Sequence, residues 1–225
     1  MYDNISKNIS QSFVSRVYAW MFLALTISGF TAWFVFINKA LFYAVMTNPL
    51  ILIILFGIEL AVVYFLSSRI DKMNSSMALG GFLLFSVVNG ATLSVIFASF
   101  ELTTIAAAFM ITSAMFGLSS LYGFVTKKDL TSAGHYLGML LIGLLVAMIV
   151  NIFIANSVLD WIINIAAVVI FVGLTAYDTQ KIKRMSEMLY SGDNLAIVAA
   201  LTLYLDFVNL FLHLLEILGR KRSRR

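Results

Sequence analysis

The chain has 225 residues, 61% of them hydrophobic and only 12% charged, with a formal charge of +4 at pH 7. A soluble domain of this size carries about 25% charged residues, so a soluble fold is excluded. Cysteine is absent, which removes disulfides, thiol catalysis and cysteine metal sites, and the basic residues fall in connections and tail, so no nucleic-acid partner is implied.

Seven apolar stretches follow one another along the chain. Residues 1–16 are polar, with no cleavage-type site after a short apolar run, so the first stretch, Val17–Ile37, reads as a retained helix rather than a signal peptide. The second, Leu50–Leu66, opens after Pro49, the single proline, in a position suited to a helix start. The third, Met77–Phe100, carries Ser86, Asn89, Thr92 and Ser94. The fourth and fifth are Leu102–Val125 and Tyr136–Ile154. Ser113/Gly117 and Gly134/Gly138 place small residues at four-residue spacing, which lets helices approach closely. The sixth is Trp161–Tyr177, and Ser191-Gly192-Asp193-Asn194 supplies cap residues before the seventh, Leu195–Leu218. Each stretch is near the ~20 residues that cross a hydrocarbon core. None alternates, so these are helices and not strands of a barrel. The expected molecule is an all-α polytopic membrane protein, one transmembrane domain over residues 1–225, with the lipid bilayer as its surroundings. A short N-terminal segment, 1–16, and a basic tail, 219–225, flank it.

The connections alternate in charge. Lys7 and Arg16, then Arg69 and Lys72, then Lys127 and Lys128, then Lys181, Lys183 and Arg184 mark one side; Lys39, Glu101 and Asp160 mark the other. The positive-inside rule puts the N-terminus in the cytoplasm. The tail residues Arg220, Lys221, Arg222, Arg224 and Arg225 conflict with seven full crossings, since they would end outside.

The seventh stretch carries the chemistry. Thr202, Asp206, Asn209, His213 and Glu216 are separated by steps of 4, 3, 4 and 3, so one helix presents them on one face. An ionisable residue at membrane depth is expensive and faces a bundle interior or a water-filled path. Asp178 closes the sixth stretch, and the short connection makes these two helices neighbours. Asp178 stands about 6 Å from a helix end near Ile182, and Asp206 roughly 16 Å beyond Leu195, at ~1.5 Å per residue. The two meet only if the last helix begins below the membrane surface. Two carboxylates sharing a poorly solvated site cannot easily both be ionised, and they titrate as a pair. A shared proton latches the helices; its loss leaves two charges that repel or that together hold a hard cation such as calcium. The alternatives are that Asp178 pairs with Lys181 or Arg184, and that Asp206 is satisfied by Asn209 or by backbone. Glu59 is a second acid at membrane depth and a candidate for the same path, with Arg69 ten residues on as a neutralising cation or a plain topology anchor. His213 is either a group that titrates near neutral pH or a hydrogen-bonded packing residue. Asn89 is a pore candidate, or a helix-to-helix hydrogen bond.

Ala176-Tyr177-Asp178-Thr179-Gln180-Lys181-Ile182 and Leu203-Tyr204-Leu205-Asp206-Phe207-Val208-Asn209-Leu210-Phe211 resemble motifs of the Bax inhibitor-1 (transmembrane Bax inhibitor motif) family, in the expected order and distance. The short N-terminus resembles its bacterial members. The resemblance implies six helices around a central seventh, and a pH-sensitive calcium leak controlled by an aspartate pair that corresponds to Asp178 and Asp206. It also implies a basic residue near the end of the second helix in contact with that pair, for which Arg69 is the nearest match. The basic tail departs from bacterial relatives that end in acidic residues. Some bacterial members modulate a membrane-bound protease.

The leading expectation is thus a proton-gated calcium leak, without enzymatic activity and without a cofactor; calcium and protons are the cargo and the signal. A second reading is a non-conducting regulator of another membrane protein, with the aspartates as a folding latch. A third is an intramembrane aspartyl protease, which also uses two aspartates on adjacent helices; against it, Leu203-Tyr204-Leu205 precedes Asp206 where those enzymes carry glycines. A retinal receptor is excluded because no lysine lies inside the last stretch.

Overall fold

The computed structural model describes residues 2–69, 73–187 and 193–219, with side chains from Gln11 onward. Lys72, the cap residues Ser191 and Gly192, and the basic tail from Arg220 lie outside the described residues, as does the side chain of Lys7. The described elements are helices: α1 (Tyr2–Ile37), α2 (Lys39–Thr47), α3 (Pro49–Arg69), α4 (Ser75–Leu93), α5 (Ile96–Ser99), α6 (Leu102–Val125), α7 (Thr131–Ile154), α8 (Ser157–Glu187) and α9 (Asp193–Gly219). Among the described residues seven spans are long and apolar enough to cross a membrane, and no strand occurs. The chain is an all-α, multi-pass integral membrane protein.

Two compact units divide the chain: Met1–Ser99 with Met185–Tyr204, and Phe100–Arg184 with Leu205–Arg225. In the first, α4 packs against both α1 and α3. Asparagines set its turns: the Asn38, Asn48 and Asn74 side chains accept from the backbone N–H groups of Leu41, Leu50 and Met77 at the starts of α2, α3 and α4. The polar N-terminus is not a segment apart. It is the first four turns of α1, and Phe13 on it is fully buried, as is Val17 directly after it. The third apolar stretch is also not one helix. It breaks after Leu93, where the Ser94 hydroxyl turns back onto the Ala91 carbonyl at 2.7 Å before α5 begins.

In the second unit, α6 keeps the bounds of its apolar stretch, whereas α8 outruns its own: it continues past Tyr177 and Ile182 to Glu187. Lys181, Lys183 and Arg184 therefore stand on a helix and not in a connection. The α7–α8 turn carries Ala155 in the left-handed region, φ 52°, as the cap of α7. Asn156 then caps α8, accepting from Val158 and Leu159. Burial ranks the spans sharply. The apolar window of α7 is 6% buried and that of α9 is 67% buried, so α7 presents itself to lipid and α9 to protein.

Candidate functional site

Small residues decide how closely α8 can be approached. A Cβ on Gly123 of α6 would strike the carbonyl of Ala176, and one on Gly134 of α7 would strike the ring of Tyr177. The two residues before Asp178 are thereby gripped from both sides. The other small positions of the spacing pattern do not serve this purpose: Gly117 and Gly138 have nothing within 4 Å of a would-be Cβ. Four-residue spacing identified the right helices but only one of the contact points.

At that gripped point the carboxyl groups of Asp178 and Asp206 meet within hydrogen-bonding range. Asp178 is 9% exposed and Asp206 5%. The Oδ2 of Asp206 is fully buried and has no donor in reach. The distances from the helix ends differ from those read off the apolar stretches. The longer α8 puts Asp178 nine residues from Glu187, about 14 Å, and Asp206 lies thirteen residues from Asp193, about 20 Å. Phe207, next to Asp206, is walled by Phe109 and Phe116, with ring centroids at 5.6 and 5.5 Å.

Arg184 does not serve as the counter-ion of Asp178. Its guanidinium reaches Asp129 at 2.6 Å, Thr131 at 2.8 Å and Gln180 at 2.9 Å. The Thr131 hydroxyl donates to Asp129 at 2.6 Å, and this bond foremost, with that from Arg184 after it, holds the Asp129 carboxyl well below the usual carboxylate range. Gln180 completes the clamp: its amide donates to the Lys128 carbonyl and its oxygen accepts from the Leu130 N–H, both at 2.8 Å. Lys183 donates to the Phe124 carbonyl at 2.8 Å. The polar continuation of α8 thus fastens the α6–α7 connection two residues from Asp178.

The stripe on α9 separates into different environments. Asp206 and His213 are buried, Thr202 and Asn209 are half-buried, and Glu216 is exposed. Asn209 gives its amide N–H to Leu205 of its own helix at 2.8 Å and is not the donor that would satisfy Asp206. His213 Nδ1 lies 2.8 Å from Asn164 Oδ1, and its ring stacks on Phe171; that is packing geometry. Among the described residues no three acidic or histidine side chains converge as a metal cluster.

Glu59, Asn89 and Arg69 belong to the first unit. Glu59 Oε1 accepts from the Thr92 hydroxyl at 2.7 Å. Arg69 ends α3 with its guanidinium over the ring of Phe65, 5.9 Å away. Asn89 Oδ1 accepts from the Tyr204 hydroxyl at 2.7 Å, and Ser28 Oγ lies 2.7 Å from that same hydroxyl and from the Ser86 carbonyl. This hydroxyl cluster went unseen in the sequence. Tyr204 was present there only as a motif letter and Ser28 as one polar residue in an apolar run.

The family model described as "Inhibitor of apoptosis-promoting Bax1" matches residues 10–223, nearly the whole chain. The chain belongs to the Bax inhibitor-1 family. Among its relatives is the inner membrane protein YbhL of Escherichia coli K12, 43% identical over 94% of this chain and 93% of that protein. An uncharacterised protein of Borreliella burgdorferi is 39% identical over 96% of this chain and 94% of its own length. One from Rickettsia prowazekii is 37% identical over 94% and 90%. The stretches around Asp178 and Asp206 both lie in the matched region.

Proposed function

We propose that this protein is a pH-sensitive calcium-permeable leak of the cytoplasmic membrane, N-terminus inside, gated by Asp178 and Asp206. The observation that carries the reading is a buried carboxyl–carboxyl contact at membrane depth whose Asp206 Oδ2 lacks a donor. A proton held in common supplies that donor and latches α8 to α9. With both groups ionised the contact becomes repulsive, the latch opens, and two adjacent carboxylates present a hard-oxygen step for a passing, largely hydrated divalent cation. Gly123 and Gly134 keep the Asp178 end of the latch in place, so the response falls on α9. The pair acts by holding and releasing a proton, and the reading assigns it no bond-breaking chemistry.

The test is calcium flux into proteoliposomes as a function of pH. Wild-type flux is expected to rise as pH rises through the neutral range. Asp178→Asn and Asp206→Asn are each expected to flatten that response. A full pH response in both variants would remove the pair as the sensor. Flux no greater than in empty liposomes, together with a stably co-purifying membrane protein, would favour the non-conducting regulator. Cleavage of a membrane peptide that is lost in both variants would favour the protease.

A further inference from the structure

Outside the aspartate pair, the first unit holds an open groove of about 560 Å³ between α1, α4 and the start of α9. Its two ends differ in chemistry. At one end Arg16 and Asp193 form an ion pair, with Ser75 and Ser76 lining the wall beside them. At the other the lining is apolar, with Trp20 and Leu23 on α1. The sequence fixes the depth of each end. Arg16 directly precedes the apolar run that starts at Val17, and Leu23 stands seven residues further along, about 10 Å deeper. The polar end therefore lies at headgroup level and the apolar end at the level of acyl chains, with a tryptophan where membrane interfaces favour one.

The ion pair leaves capacity on both partners. Arg16 uses Nη1 on Asp193, while its Nε is buried and has no hydrogen-bond partner. The Arg16 side chain is nonetheless 42% exposed, and the part of the guanidinium open to the groove suits a phosphate oxygen. The Asp193 side chain is 57% exposed, so an ammonium group can reach it without displacing Arg16. An anionic headgroup meets a cation already neutralised by Asp193, and a choline headgroup has no N–H to give the carboxylate.

We propose that this groove binds a phospholipid whose headgroup carries a primary amine, such as phosphatidylethanolamine: phosphate on the exposed part of the Arg16 guanidinium, ammonium on Asp193, and an acyl chain along Leu23. The experiment is native mass spectrometry of the full chain in detergent, incubated with equal amounts of phosphatidylethanolamine, phosphatidylglycerol and phosphatidylcholine of identical acyl chains. Wild type is expected to retain the ethanolamine lipid at least fivefold over the other two. Arg16→Gln is expected to bring it down to the level of the choline lipid. Asp193→Asn leaves the guanidinium uncompensated and is expected to reverse the order, with the glycerol lipid above the ethanolamine lipid. Equal retention of the three lipids by wild type, preference of wild type for the glycerol lipid, or an unchanged order in either variant overturns the proposal. A reversal is not mimicked by a variant that folds poorly, because loss of the fold lowers all three together.

Discussion

Tyr204 and Asp206 stand two residues apart on α9, and their surroundings could hardly differ more. The Tyr204 hydroxyl, in the first unit, donates to Asn89 Oδ1 and lies 2.7 Å from the Ser28 hydroxyl. Its ring is braced edge-on by Phe82 and Phe85. Asp206, in the second unit, is as deeply buried but faces another acid and has an oxygen with nothing to bond. A neutral cluster of hydroxyls and an amide is glue, since no charge appears or vanishes in it. On the proposed function, an acid pair short of a donor has at least two arrangements, and the proton count chooses between them. Stability and switching then fall within one turn of a single helix.

Breaking each cluster in turn sharpens that contrast. The largest effect is expected from Asp206→Asn, which should abolish the pH response of calcium flux, while Tyr204→Phe should leave the response in place; loss of it in Tyr204→Phe would mean that the two clusters are not separable. Next come the residues that grip α8. Gly123→Ala and Gly134→Ala each place a methyl group where backbone or ring already stands and should destabilise by about 1–3 kcal/mol in thermal unfolding in detergent. Gly138→Ala, which meets nothing within 4 Å, should stay within about 0.5 kcal/mol. Tyr204→Phe removes interhelical hydrogen bonds inside a membrane protein, and the same unfolding measurement should fall by about 0.6 kcal/mol, at most ~1.7. The smallest effect is expected from Asp129→Asn. The folded-state pKa of Asp129 is depressed, so its contribution is complete above the ordinary carboxylate range and is lost only as pH falls through a more acidic value. The pH midpoint of flux around neutrality should therefore not move in that variant, and a shift would place part of the sensor in the α6–α7 connection.

Hydropathy found the spans and misjudged where helices stop. It reads the preference for lipid, whereas a helix ends where its hydrogen bonding does. Lys181, Lys183 and Arg184 are polar and still helical, because the α6–α7 connection supplies carbonyls, a hydroxyl and a carboxylate for them to hold. The first turns of α1 are polar and helical too, while the break at Ser94 falls inside a stretch long enough to read as one span. The meeting of Asp178 with Asp206 was legible only as a condition on depth, and the extra turn of α8 changed that depth. Residues that find partners on distant helices left no mark. Nothing in the periodicity near Ser28 tells that a tyrosine 176 positions later will reach it.

The last helix is divided between the two units, Asp193–Tyr204 serving one and Leu205–Gly219 the other. It is also the last of these spans to leave the ribosome. Translation runs from the N-terminus, so each half waits in the bilayer with an open seam until α9 arrives, and neither can be completed ahead of the other. A chain cut between α8 and α9 would leave two unfinished bundles instead of one finished and one missing.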